Sequence, residues 1–347
     1  MKRLRIGYFP YSQNLLAPGD RRRLPYWANA RGHRLYLNQT ENVDVIVYTS
    51  PTQRKNQVDT ANGCPVILDL VDAYSIYNNR LEDFLRINLK FFFGQIPKPG
   101  ISYKKLVMDL VAQSDLVITS SPEQTSLLGE FSKKALDILD FHEEIPISNS
   151  LKSIKNISGI FWEGLSATLP ALSKSSALLR QMNGFGLNLH LVTDLYKPLL
   201  FGRFVKIPIT SYYLPKIHST GLKTSYYPWS TQNLISASSS CRFALVPVDT
   251  NLPMNLYKPE NRVLISWRLG LPCFVSDTPS HRRIAKSVGI DFIFRKNVAG
   301  ESVDDSQLSE ESLMDQVIRG RNYILDYHSK EVLLSKWDDA FNRVVQV

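Results

Sequence analysis

No stretch of this sequence runs to about 18 apolar residues, so none is expected to span a membrane. Cysteine is scarce: Cys64, Cys241 and Cys273 among 347 residues. Each sits beside apolar neighbours and no two have metal-ligand spacing. An odd number without a framework argues against a disulfide scaffold and for a reducing compartment. The six histidines do not pair with one another or with cysteine at ligand spacing, so no zinc site is expected. Gly-x-Ser-x-Gly, Gly-Lys-Ser/Thr and Gly-x-Gly-x-x-Gly are all missing, which removes the usual hydrolase and P-loop readings and weakens a dehydrogenase reading. "NGFGLN" has two glycines but precedes a strand, the wrong side for a dinucleotide loop. The opening "MKRLRIGYFPYSQNLL" is basic and then apolar, but Arg5, Gly7, Pro10 and Gln13 break it. It reads as a first strand rather than a signal-peptide core. A cytoplasmic protein is expected.

What is present is an ordinary globular composition, 44% hydrophobic and 21% charged, with 41 Lys and Arg against 32 Asp and Glu. The net charge of +9 favours an anionic partner: a nucleotide, a phospholipid surface or a nucleic acid. The cations are spread along the chain and no nucleic-acid module is visible, so nucleic acid is not the expected partner. The length suits two domains.

Short β-rich runs recur between helical stretches: "LRIGYFPY", "HRLYL", "VDVIVYTS", "PVILDL", "DLVITSS" and "ALDILD". Several are continuously apolar, as strands buried on both faces of a parallel sheet should be. Helix candidates such as "DRRRLPYWANARG" and "YKKLVMDLVAQS" lie between them, which predicts a doubly wound α/β domain over 1–150. Residues 142–158 are polar and aperiodic and read as the crossover. The pattern restarts with "GIFWEG", "LNLHLVTD", "RFVKIPI", "LKTSYYPW", "FALVPVD", "PCFVSD" and "DFIFR", predicting a second such domain over 151–347. It ends in an amphipathic helix with Val332, Leu333, Trp337, Phe341 and Val344 on one face. The segment 84–105, "FLRINLKFFFGQIPKPGISYKK", is basic and aromatic. It could touch an anionic membrane surface, but the length of an ordinary connection favours a helix, loop and helix start with its phenylalanines in the core.

In open α/β sheets ligands bind beyond the carboxyl ends of the strands. After the first strand stand Gly19, Arg21 and Arg22, either a loop for a phosphate or carboxylate or a solvated helix start. After "PVILDL" stands Asp72, either a general base on an acceptor hydroxyl or a helix cap. Gly164 follows the first strand of the second half, in a phosphate loop or an ordinary turn. Trp229 follows "LKTSYYP" and either stacks on a nucleobase or packs in the core. Lys258, Glu260, Asn261 and Arg262 precede and open the helix of "ENRVLISWRLG". Its free N–H groups and dipole suit a phosphate, though solvated capping explains such charges as well. Pro259 is expected in the first turn and Gly270 at the end.

In their order along the chain these segments resemble the GT-B glycosyltransferases, especially the family 4 type that builds bacterial surface glycans. "SDLVITSSPEQTSLL" is similar to the last strand-turn-helix of the acceptor domain, and "GIFWEGLSA" to the opening of the donor domain. "YYPWSTQNLISASSSCRFALVPVD" is similar to the base-binding segment. "KPENRVLISWRLGLPCFVSDTPS" is similar to the helix and strand that hold ribose and diphosphate. The resemblance implies two Rossmann-like domains facing a cleft, the first for the acceptor and the second for the donor. It further implies sugar transfer from a nucleotide-diphosphate sugar to a glycan or lipid-linked acceptor, with no metal or other cofactor. Many relatives carry two Glu separated by seven residues. Here Glu260 is followed at that distance by Arg268, which leaves Lys258, Asn261 and Arg262 as the nearest substitutes for holding phosphate and sugar. A two-lobed nucleotide- or sugar-binding protein without chemistry is the alternative that this departure suggests.

Overall fold

The computed structural model describes residues 2–12, 14–49, 63–73, 76, 80–92, 99–100, 102–148, 157–199, 205–298 and 300–345. The chain divides into two compact units. One comprises Met1–Phe141 with Leu256–Pro259 and Tyr327–Val347, and the other comprises His142–Asn255 with Glu260–Asp326.

The first unit holds a six-stranded sheet of β1 (Arg5–Phe9), β2 (Arg34–Leu37), β3 (Val45–Tyr48), β4 (Val66–Leu70), β5 (Leu116–Thr119) and β6 (Ala135–Asp137). Their order is β2-β1-β3-β4-β5-β6 and every pair is parallel. The direction of winding reverses between β1 and β3. The continuous apolar runs have the expected consequence: β3, β4 and β5 are buried at every residue, because helices cover both faces of a parallel sheet.

The second unit holds β7 (Gly159–Glu163), β8 (Asn188–Thr193), β11 (Thr224–Pro228), β12 (Cys241–Val246) and β13 (Cys273–Val275). The order is β11-β8-β7-β12-β13, again all parallel, with the reversal between β7 and β12. Both sheets are thus doubly wound, as the alternating pattern predicts. "RFVKIPI" does not join this sheet. Its strand β10 (Val205–Pro208) pairs antiparallel with β9 (Tyr196–Leu199). A second hairpin joins β14 (Arg295–Asn297) to β15 (Gly300–Ser302). "DFIFR" contributes only an isolated bridge from Ile293 to Val275 before that hairpin.

The amphipathic terminal helix corrects the expected domain assignment. It spans Lys330–Asn342 and belongs to the first unit, not the second. The reason is aromatic packing. Phe341 stacks on Trp27 with ring centres 4.3 Å apart, Trp337 is 6.1 Å from the same ring, and the Trp27 indole donates to Asp338 at 2.8 Å. Arg31 adds a 2.7 Å ion pair to Asp338. The chain passes to the second unit at Phe141–His142, at the edge of the polar segment that the sequence marks as the crossover.

Candidate functional site

The second unit carries the more developed site, at the carboxyl ends of its strands. Helix Asn261–Arg268 begins there, with Glu260 as its N-cap residue and no side chain capping it. Pro259 therefore lies outside the helix, one residue before the cap, rather than in its first turn. At the far end Gly270 has φ 74°. Its N–H donates to the Trp267 carbonyl and that of Leu271 to the Ser266 carbonyl, at 3.0 and 2.9 Å. This paired closure needs a left-handed residue, which glycine supplies without strain. Val263, Leu264, Trp267 and Leu271 are buried, so the apolar face anchors the helix and fixes where its start points.

Arg262 stands in the first turn. Its guanidinium carbon is 4.9 Å from the centre of the Trp162 ring, and its Nε is 4.0 Å from the Glu163 carboxylate, both at the end of β7. The Nε and Nη2 atoms are buried and have no hydrogen-bond partner among the described residues. Burial pulls the Arg262 pKa below the ordinary arginine value, and Glu163 only partly offsets this. A desolvated cation with open donors favours an incoming anion, since each unmet N–H costs free energy until it is paired. Glu260 is almost fully buried and accepts from Arg283 Nη2 at 2.7 Å, so its carboxylate is engaged within the protein.

Gly164 follows β7 with φ 156°. A β-carbon there would sit 2.8 Å from Thr168 Oγ1, so the close turn requires glycine. The loop is held by Ser166, whose Oγ donates to the Tyr196 carbonyl at 2.8 Å. Trp229 follows β11 and donates its backbone N–H to the Thr193 carbonyl at 3.0 Å. It is half-buried and borders a cavity of about 500 Å³ lined also by Thr193, Asp194, Tyr196 and Lys206. The Thr193 hydroxyl is buried without a partner among the described residues. A half-exposed indole beside a roomy, partly polar cavity can offer its face to a planar ring. A second cavity of about 320 Å³ lies beyond β12 and includes Lys174, Asp249, Lys296 and Glu301, with Lys174 Nζ 2.5 Å from Asp249.

The sequence grouping of Lys258 with Glu260, Asn261 and Arg262 is divided by the fold. Lys258 packs with the first unit and the other three with the second. In the first unit the neighbouring Tyr257 carbonyl accepts from Ser121 Oγ at 3.4 Å.

Also in the first unit, Asp72 is half-buried just beyond β4, where the Gln124 side chain fixes its carbonyl at 2.6 Å. Gly19 and Arg21 lie within a short helix, Pro18–Arg21, and Arg22 is its C-cap residue. A β-carbon at Gly19 would touch Val71 at 3.4 Å, which sets this loop against the end of β4. Arg22 is buried and Arg21 half-buried. Two carboxylates that sequence reading missed organise this end. Asp20 accepts from the Tyr8 hydroxyl, the Tyr11 and Ser12 N–H groups and the Ser12 hydroxyl, at 2.7 to 2.8 Å. Asp69 pairs with the fully buried Arg23 at 2.6 Å, and Asp140 also pairs with it at 3.0 Å. The third arginine of "RRR" is therefore structural.

Glu163, Asp249 and Arg283 also escaped the sequence reading. Glu163 ends a strand of the second sheet and Asp249 follows one, and that position was the available signal. Arg283 lies 23 residues from Glu260 and had none. Among the described residues no cluster of His, Cys, Asp or Glu could hold a metal ion, and no helix is long and apolar enough to cross a membrane.

No protein-family model matches the chain, and no curated protein matches it in sequence. Solved structures do. A glycosyltransferase of avilamycin A biosynthesis, AviGT4, superposes with a TM-score of 0.58 at 13% identity, over 99% of this chain and 98% of that one. HepE of Anabaena, in complex with UDP-glucose, gives 0.50 at 13% identity over 99% and 96%. S. aureus TarM with UDP gives 0.54 at 10% identity over 86% of this chain. The chain spans about half the length of TarM, 55% of it. These matches establish the fold: two parallel sheets with flanking helices, arranged along the chain as in GT-B glycosyltransferases.

Proposed function

We propose that this chain of GT-B fold is a glycosyltransferase of the family 4 type, moving a sugar from a nucleotide-diphosphate sugar to a glycan or lipid-linked acceptor of a bacterial surface polysaccharide. The observation that carries the reading is Arg262: a buried guanidinium at a helix start, with two N–H donors unmet among the described residues, at the carboxyl end of a doubly wound sheet.

In this reading the nucleobase lies in the cavity beside Trp229, and the diphosphate meets Arg262 and the backbone N–H groups of Asn261 and Arg262. Gly164 lets the main chain approach the donor closely. As the bond between the sugar's anomeric carbon and the diphosphate breaks, charge builds on the leaving oxygen. Arg262 and the helix start stabilise that charge more in the transition state than in the bound donor. The acceptor oxygen forms the new bond, and Asp72 takes its proton. The loop with Gly19, Arg21 and Arg22 holds acidic or phosphorylated parts of the acceptor. Lys258 is a secondary contributor, and the cation at the diphosphate comes from arginine rather than from a metal. The UDP-glucose bound by HepE and the UDP bound by TarM are consistent with this class of donor.

A thermal-shift screen against nucleoside diphosphates and nucleotide sugars tests binding, since a ligand at 100 times its Kd adds about 2.7 kcal/mol. Release of nucleoside diphosphate from the best donor then tests chemistry. Glu260 is engaged by Arg283 instead of facing a ligand, which favours one alternative: a donor-binding protein without turnover. Tight binding with no release over many hours would establish that alternative.

A further inference from the structure

Helix Arg80–Phe92 turns most of its apolar residues outward and buries Ile87. Leu81, Phe84, Leu85, Leu89 and Phe92 recur at intervals of three and four and form one stripe along the helix. They are between 45% and 81% exposed, and Phe91 is exposed beside them. The phenylalanines among the described residues of this segment are thus on the surface, where the sequence favoured the core. Scattered exposed apolar residues are ordinary, but a continuous stripe on one helix marks an interaction surface.

The opposite side of this helix is clamped. Asp83 accepts from the Ser102 hydroxyl and from the N–H groups of Tyr103 and Lys104, the latter two at 2.9 and 3.0 Å. On the stripe side, between Phe84 and Phe92, Asn88 donates to the Phe84 carbonyl at 2.8 Å and to the Gly100 carbonyl at 3.0 Å. Ile87 is buried against Gly100, where a β-carbon would overlap it. Lys90 Nζ lies 5.1 Å from the centre of the Tyr103 ring. Turning the stripe inward would break the Asp83 bonds and bury charge, so the stripe is held facing out.

We propose that this face docks on an anionic phospholipid surface, with the helix lying in the headgroup plane. Thirteen residues make a helix of about 20 Å, too short for a hydrocarbon core of roughly 30 Å. It fits an interfacial helix with an apolar side and flanking cations. Charge identifies the occupant. The stretch 84–105 contains five Lys and Arg and no Asp or Glu, and the whole chain carries +9. Lys104 and Lys105 are exposed at the start of the adjoining helix Tyr103–Gln113. A second copy would bring the same cations face to face, whereas anionic lipid complements them. The proposal stands independently of the sugar transfer proposed above.

The test is co-sedimentation of the full chain with vesicles of phosphatidylcholine alone and of phosphatidylcholine mixed with phosphatidylglycerol. The chain is expected to bind the anionic vesicles at low salt, to leave them at high salt, and to ignore the neutral ones. Leu85→Asp with Phe92→Asp should weaken binding at least tenfold. Lys104→Glu with Lys105→Glu should do so by about twentyfold or more, since each surface cation is worth about fivefold. Thermal midpoints and circular dichroism should stay as in the parent, because these side chains are exposed. Failure of the parent chain to bind anionic vesicles overturns the proposal. So does undiminished binding by the Leu85→Asp, Phe92→Asp variant. A parent dimer that this variant converts to monomer would assign the face to a second copy instead.

Discussion

Arg262 and Trp162 form a cation–π pair, with the guanidinium carbon 4.9 Å from the ring centre and the ring fully buried at the end of β7. The indole packs against the guanidinium without satisfying its hydrogen bonds. Such a cation is pre-organised for a phosphate, because little side-chain freedom remains to be lost on binding.

Arg262→Ala should weaken binding of nucleoside diphosphate by roughly ten- to a hundredfold, the weight of a charge-assisted hydrogen bond of about 1.5–3 kcal/mol. Titration calorimetry measures it. Arg262→Lys should recover only part of the loss, since an ammonium cannot reproduce both the ring contact and the fork of donors. Unchanged affinity in Arg262→Ala would remove this residue from the donor site.

Trp229→Ala tests the neighbouring cavity. Stacking of a base on an aromatic ring is worth about 1–3 kcal/mol. The variant should therefore lose at least fivefold in affinity for a nucleoside diphosphate while affinity for pyrophosphate stays constant. Equal losses for both ligands would mean that the indole supports the fold of the loop instead of the base.

Asp72→Asn should lower turnover about a hundredfold or more with donor affinity nearly unchanged, the usual contribution of general acid–base catalysis. Steady-state rates of nucleoside diphosphate release decide it. Near-normal turnover would leave Asp72 with a structural role only.

Trp337→Ala should destabilise the first unit by about 3–5 kcal/mol, as for other fully buried tryptophans. Urea unfolding followed by circular dichroism measures the loss. Donor affinity, which in the proposed reading depends on residues of the second unit, should survive in mild conditions. A loss of donor binding without loss of stability would contradict the assignment of the terminal helix to the first unit.

The strands were legible one by one. "VDVIVYTS", "PVILDL" and "DLVITSS" are apolar on both faces and can only be stable between two layers of helices, so local composition determined a parallel, doubly wound sheet. The end of helix Asn261–Arg268 was equally local, because a left-handed turn after Trp267 selects Gly270. What the sequence could not decide was long-range. The terminal helix looks the same whichever unit it covers, and only the match of Phe341 and Trp337 to Trp27 chooses the first. "RRR" offers three equivalent cations until the fold places Asp69 and Asp140 beside Arg23. Lys258 and Arg262 are four residues apart, yet they pack with different units. Glu260 looks like a ligand-binding carboxylate until the approach of Arg283 engages it. Burial and hydrogen bonding over distances of tens of residues depend on where the backbone returns, and that is set by the packed whole.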